Sequence, residues 1–159
     1  MSIALRIQHL YQTVVSLLNR LQSPLLLVIR LYFGWQLAMS GWGKLHNIDQ
    51  VTNFFTSLNL PMPHQTAIFV SLVEFVGGIL FALGLFSRII SLVLFINMTV
   101  AYWTADREAF GQFFSDPDKF VAAAPYVFWF ASLLILIFGP GALALDWFVA
   151  RFTTKAISD

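Results

Sequence analysis

Four apolar runs, Pro24–Trp42, Thr66–Phe86, Arg88–Trp103 and Val121–Phe138, take up about half of this 159-residue chain. A helix needs about 20 residues to cross the hydrocarbon of a bilayer, and each run meets or approaches that length. The third and fourth can borrow residues from Thr104, Phe120 and the flanking aromatics. Four such segments joined by compact loops predict an all-α fold, an integral membrane four-helix transmembrane bundle running up-down-up-down. Composition points the same way: 58% of residues are hydrophobic and 11% charged, with a mean hydropathy of +0.77, whereas a soluble domain carries about 25% charged residues.

The ends of the chain differ from these runs. Ile3, Ile7, Leu10, Val14, Leu17, Leu18 and Leu21 recur at helical spacing, with Arg6, Gln8, His9, Gln12, Ser16, Asn19 and Arg20 on the other faces. That pattern predicts an amphipathic interfacial helix over residues 1–22, ahead of a transmembrane domain over 23–150. Polar residues interrupt it too often for the apolar core of a cleaved signal, so it is expected to stay attached. Gly139-Pro140-Gly141 reads as a helix stop, and Leu145, Trp147 and Phe148 as anchors of a short C-terminal interfacial segment before a tail, 151–159. Arg6, Arg20, Arg88, Arg151 and Lys155 fall on one side of the spans, against Lys44, Arg107 and Lys119 on the other. Retention of positive residues then puts both termini in the cytoplasm. Ile48, Val51, Phe54, Phe55 and Leu58 predict a short helix on the first outer loop. Phe110, Phe113 and Phe114 make the second outer loop aromatic, as a membrane-interface belt or as a lid.

Several chemistries are excluded or disfavoured. The chain has no cysteine, which rules out a thiolate nucleophile, an iron–sulfur cluster or a Cys-rich zinc site within it. A net charge of +1 with scattered Lys and Arg does not suit nucleic acid. His46 and His64 share one loop without a patterned third ligand, so no metal site is expected, and no histidines occupy facing spans as a bis-histidine haem requires. No P-loop, nucleophile elbow or HExxH occurs.

The informative residues are charges inside apolar runs. Arg30 lies in the first span and Glu74 in the second, each costing roughly 2.5–3.5 kcal/mol at a helix centre on insertion scales. Counting from the cytoplasmic ends brings them close enough in depth to expect an Arg30–Glu74 pair across the bundle. Arg30, Gly34, Leu37, Gly41 and Lys44 share one helical face, expected to point inward. Glu74 shares its face with Gly77, Gly78, Phe81 and Arg88, and Asn97 shares one with Ile90, Leu94, Ala101 and Thr104. Gln36, Glu74 and Asn97 fall at similar depth, a polar layer able to hold the carbonyl of a lipophilic ring or to pass a proton. The same groups can instead simply fix helix register. Gly34 and Gly41 can pack helices within a bundle or between protomers of a homo-oligomer.

In order along the chain, Arg30, Gly41-Trp42-Gly43-Lys44-Leu45, Asn59-Leu60-Pro61, Glu74-Phe75-Val76-Gly77-Gly78 and Leu83-Gly84-Leu85-Phe86-Ser87-Arg88 resemble the DoxX family of small four-helix bacterial membrane proteins. Gly139-Pro140-Gly141-Ala142-Leu143-Ala144-Leu145-Asp146 is similar to the family's closing motif. Ala142 and Ala144 depart from it where members often carry arginine and serine. Asp146 and Arg88 should lie on the same cytoplasmic side and are expected to pair. The resemblance implies the bacterial cytoplasmic (inner) membrane and an association with redox systems such as terminal quinol oxidases and thiosulfate:quinone oxidoreductases.

These readings give an expected function: a non-autonomous subunit of a quinone-linked oxidoreductase, binding a quinone-like molecule in the bundle and supporting electron transfer by a partner protein. Glu74 and Arg30 are the expected catalytic residues, with Gln36, Lys44, Asn97, Arg88 and Asp146 as ligand contacts and no haem, iron–sulfur cluster or zinc. Two alternatives stand beside it: a non-catalytic anchor or assembly factor, and a small proton-coupled transporter using Glu74.

Overall fold

A computed structural model describes the backbone of residues 3–149 and 151, with side chains from residue 6 onward. Among the described residues the helices are, in order, α1 (Ile3–His46), α2 (Ile48–Ser57), α3 (Pro63–Leu83), α4 (Ser87–Thr104), α5 (Arg107–Gly111), α6 (Pro117–Ala122) and α7 (Tyr126–Phe138), and residues 145–149 are helical as well. No strand occurs among the described residues. α1, α3 and α4 are long and apolar enough to cross a membrane, and α7 is a shorter apolar helix. These four form the bundle, with α1 packed chiefly on α3 and α4 on α7.

The expected amphipathic helix and first span are one element. α1 is continuous over 44 residues with Pro24 inside it. A proline removes one backbone donor and bends a helix, yet α1 runs through Pro24, and the hydroxyl of Ser23 just before it accepts from the Ala142 N–H at 3.1 Å instead of capping a new helix. At about 1.5 Å per residue α1 is roughly 66 Å long, about twice the hydrocarbon thickness.

The fourth span is shorter than Val121–Phe138. α6 ends at Ala122, Ala123 is extended (φ −66°, ψ 142°), and α7 begins after Pro125. The extended residue lies two positions ahead of Pro125, which has no N–H to continue a helix and starts the next one instead, so the run is split. The residues ahead of the break pack as an aromatic cap: Phe120 stacks on Tyr102 at 4.8 Å, and the Tyr102 hydroxyl donates to the Phe120 carbonyl at 2.8 Å. Phe113 meets Phe120 edge-on.

Close approach of α1 and α3 is set by small residues. A Cβ on Gly34 would lie 2.8 Å from both the Ala82 nitrogen and the Gly78 oxygen, and one on Gly78 would lie 2.5 Å from the Ala38 nitrogen. A Cβ on Gly41 would run into the Phe75 backbone nitrogen. Backbones in contact are what a small-xxx-small face permits in lipid, where van der Waals packing drives association. The inward stripe of α1 is therefore as the spacing predicts: Arg30, Gly34, Leu37 and Gly41 are buried and Lys44 is half-buried. Both glycines are used within the chain, against α3.

α3 ends at Gly84 (φ 69°), whose N–H reaches the Leu80 carbonyl at 2.9 Å, while that of Leu85 reaches the same oxygen at 3.1 Å. A left-handed glycine here closes the helix without Cβ strain. The chain reverses directly into α4, whose buried face is Ser87, Ser91, Leu94, Met98 and Tyr102. Leu37, Phe81, Leu94 and Ile135 meet at the centre. The gap bounded by Phe33, Leu37, Phe81, Leu94, Phe128 and Ser132 does not admit a water.

Candidate functional site

Register between antiparallel α1 and α3 decides which charges meet. Gly41 lies against Ser71 and Phe75, Gly34 against Gly78 and Ala82, and Arg30 against Gly84. Glu74 is thus level with Ser40, about 15 Å along the bundle from Arg30 at 1.5 Å per residue. The expected Arg30–Glu74 pair does not form. Depth counted from assumed span ends misplaced the two groups, whereas glycine contacts fix the register.

Glu74 pairs instead with Lys44. The Lys44 ammonium donates to both carboxylate oxygens at 2.6 Å, and the Ser40 hydroxyl donates to Oε2 at 3.2 Å. The Glu74 side chain is 4% exposed and that of Lys44 34%. The carboxylate is therefore held inside the helix pair while the ammonium faces outward. Beside them a groove of about 410 Å³ runs between the end of α1 and α2, lined by Ser40, Lys44, Asn47, Gln50, Phe54 and Phe55 among others. α2 exists because Ile48, Val51, Phe55 and Leu58 give it one apolar face, which packs on α3. A groove with an ammonium, two amides and two phenyl rings suits a small polar-headed apolar molecule.

The other predicted polar groups lie elsewhere. Gln36 is half-buried on α1, and Asn97 is half-buried on α4 with its amide nitrogen unpartnered. No hydrogen bond joins either to Glu74, so the polar layer is not one site. Asn47 and Gln50 are signalled in the sequence only by the helical periodicity of the first outer loop, and Ser40, one turn before Lys44 on α1, by nothing but its place next to that lysine's face. His46 turns to the Trp42 carbonyl at 2.9 Å and His64 to the Thr52 hydroxyl at 3.3 Å. Among the described residues no three His, Cys, Asp or Glu cluster as a metal site would need.

At the opposite end Arg30 is fully buried and donates to the Leu143 carbonyl at 2.6 Å. Its Nη1 occupies the space over Gly84 that any side chain there would fill. The expected Arg88–Asp146 pair is also absent. The Asp146 carboxylate accepts from the backbone N–H of Phe86 and of Ser87, each at 2.7 Å, and its own N–H donates to the Gly84 carbonyl at 2.9 Å. Arg88 is exposed on α4, near Gly139, rather than on the face of Glu74. Asp146 caps α4, since the first turn of a helix leaves free N–H groups and favours an anion. Asp146→Ala is expected to cost about 1–2 kcal/mol, the scale of a lost cap. Asp146→Asn, which can accept but also places an amide donor against an N–H, should fall between, as read by thermal unfolding in detergent.

A bundle of apolar helices carrying an ion pair at the mouth of one helix pair defines an α-helical membrane protein with a polar-edged groove. The DoxX family model matches residues 25–107, a stretch that includes Arg30, Lys44 and Glu74. The inner membrane protein YphA of Escherichia coli (strain K12) is 33% identical over 129 residues, spanning 77% of this chain and 88% of that protein. The chain belongs to the DoxX family, and with its apolar helices this makes it a bacterial inner membrane protein. No solved structure matches it.

Proposed function

We propose that this protein is a subunit of an inner-membrane redox system that takes a quinone-like headgroup into the groove between α1 and α2 and supports electron transfer by a partner protein. The observation that carries the reading is the ion pair of buried Glu74 with Lys44, which lines that groove together with Ser40. The packed centre of the bundle has no room for a ring, so the binding place moves from the core to its edge. Lys44, Asn47 and Gln50 supply donors for a ring carbonyl, and Phe54 and Phe55 supply apolar surface for the ring. A quinone oxygen that gains electrons also gains protons, and Lys44, held by Glu74, is the ammonium that lines the groove. Electrons come from the partner, because the chain has no cysteine for a thiol relay or iron–sulfur cluster. With both termini cytoplasmic, the groove opens toward the periplasm.

The test is solvent extraction of protein purified in mild detergent, with mass spectrometry for quinone. Expected is near-stoichiometric quinone in the wild type and a several-fold loss in Phe55→Ala, which leaves the ion pair intact. Quinone no higher than in an unrelated membrane protein prepared identically overturns the proposal.

A further inference from the structure

The N-terminal arm of α1 leaves an apolar seam with nothing on it. From Arg6 to Gln22 every residue except Val15 is exposed. Ile7, Leu10, Val14, Leu17 and Leu21 follow strict 3-4-3-4 spacing, and each is between 46% and 65% exposed. A 3.5-residue repeat is the spacing of a coiled-coil seam, and it holds here for two heptads. Ile7, Val14 and Leu21 take the first apolar position of the heptad and Leu10 and Leu17 the second. Ile7 and Val14 at the first with Leu10 and Leu17 at the second match the β-branched-then-leucine pattern of two parallel strands, from which Leu21 departs.

We infer that this arm is a dimerisation element, pairing with the same arm of a second copy of the chain as a parallel two-stranded coiled coil. Three observations select that occupant. α1 runs unbroken through Pro24 into the bundle, and the arm is exposed along nearly its whole length, so the body of the chain does not cover its apolar seam. Two copies inserted in one membrane in the same sense are parallel, with their arms starting at the same height, which puts identical heptad positions opposite each other. The flanking positions place Arg6 opposite Tyr11 of the second copy, Thr13 opposite its Leu18 and Arg20 opposite its Leu25, so no like charges face each other. With Tyr11 and Leu18 flanking the seam, also 69% and 59% exposed, the apolar surface on offer is on the order of the roughly 800 Å² per partner of a standard interface. The arm, and not Gly34 or Gly41, is then the contact between protomers, since both glycines are already filled by α3.

The absence of cysteine makes the test direct. Single cysteines are placed in full-length protein in native membranes at seam positions (Leu10→Cys, Val14→Cys, Leu17→Cys) and on the opposite face (Gln12→Cys, Asn19→Cys), then oxidised. A disulfide requires Cα atoms within about 7 Å, which only seam positions satisfy. Expected are covalent dimers at the three seam positions, at least five-fold above the two outer ones. Equal cross-linking on both faces, or none at the seam, overturns the inference. So does protection of Leu17→Cys from a water-soluble thiol reagent in dilute single-copy nanodiscs, which would place the seam in the bilayer surface.

Discussion

Gly41→Ala is expected to break the α1–α3 pair, while Gly43→Ala two residues along the same helix leaves it intact. A methyl at Gly41 would collide with the Phe75 backbone nitrogen and stand 2.7 Å from the Ser71 oxygen. Backbone atoms inside a helix cannot turn aside as a side chain can, so the helices must separate over their whole contact. That contact includes the Gly34–Gly78 approach and the Lys44–Glu74 pair. Overpacking of a core costs typically about 1–3 kcal/mol, and with backbone on both sides the cost here should reach about 3 kcal/mol or more. Gly43 has nothing within 4 Å of an added methyl, and alanine there should gain up to about 1 kcal/mol of helix propensity. Thermal unfolding of the two variants in the same detergent gives the comparison. Melting temperatures within two degrees of each other would show that the α1–α3 contact is looser than described.

This contact also shows where the sequence was legible. The stripe Arg30, Gly34, Leu37, Gly41 and Lys44 follows from helical spacing alone, and it is the face that packs inward. The all-α membrane class likewise follows from the length of the apolar runs. The partner of Glu74 was not legible. Two candidate cations, Arg30 and Lys44, lie on one face of α1 about 21 Å apart at 1.5 Å per residue, and choosing between them needs a register that only facing glycines supply. Spacing alone casts Arg30 as half of an ion pair, because a charge in an apolar run needs a partner. Its Nη2 is answered by a backbone carbonyl, Leu143, delivered by a segment more than a hundred residues away, while Nε and Nη1 have no hydrogen-bond partner. Asp146 gave the converse error: its role as a cap depends on the α3–α4 turn coming to it. Pro125 was readable, since proline preferences are local, but hydropathy averaged over a window hides one residue.

Lys44→Met is expected to destabilise the protein far more than Glu74→Gln, although both remove the same ion pair. The asymmetry comes from burial. Glu74 sits 4% exposed between two helices and Lys44 34% exposed at the groove. Without its lysine, the carboxylate keeps only the Ser40 hydroxyl at 3.2 Å, and an uncompensated buried charge costs about 3–5 kcal/mol. Without its glutamate, the ammonium can turn on its flexible stem into the groove and be solvated. The neutral amide introduced by Glu74→Gln can still accept from Lys44 and from Ser40. Glu74→Gln should therefore cost only about 1 kcal/mol, the scale of one hydrogen bond. The double variant removes the stranded charge that makes Lys44→Met severe, so it should recover most of the stability. Such a cycle isolates the coupling between neighbours in contact. Unfolding of the wild type, both single variants and the double variant in one detergent measures it. Equal losses in the two single variants, adding in the double, would mean that Glu74 is well hydrated and that the pair does not lock α1 to α3.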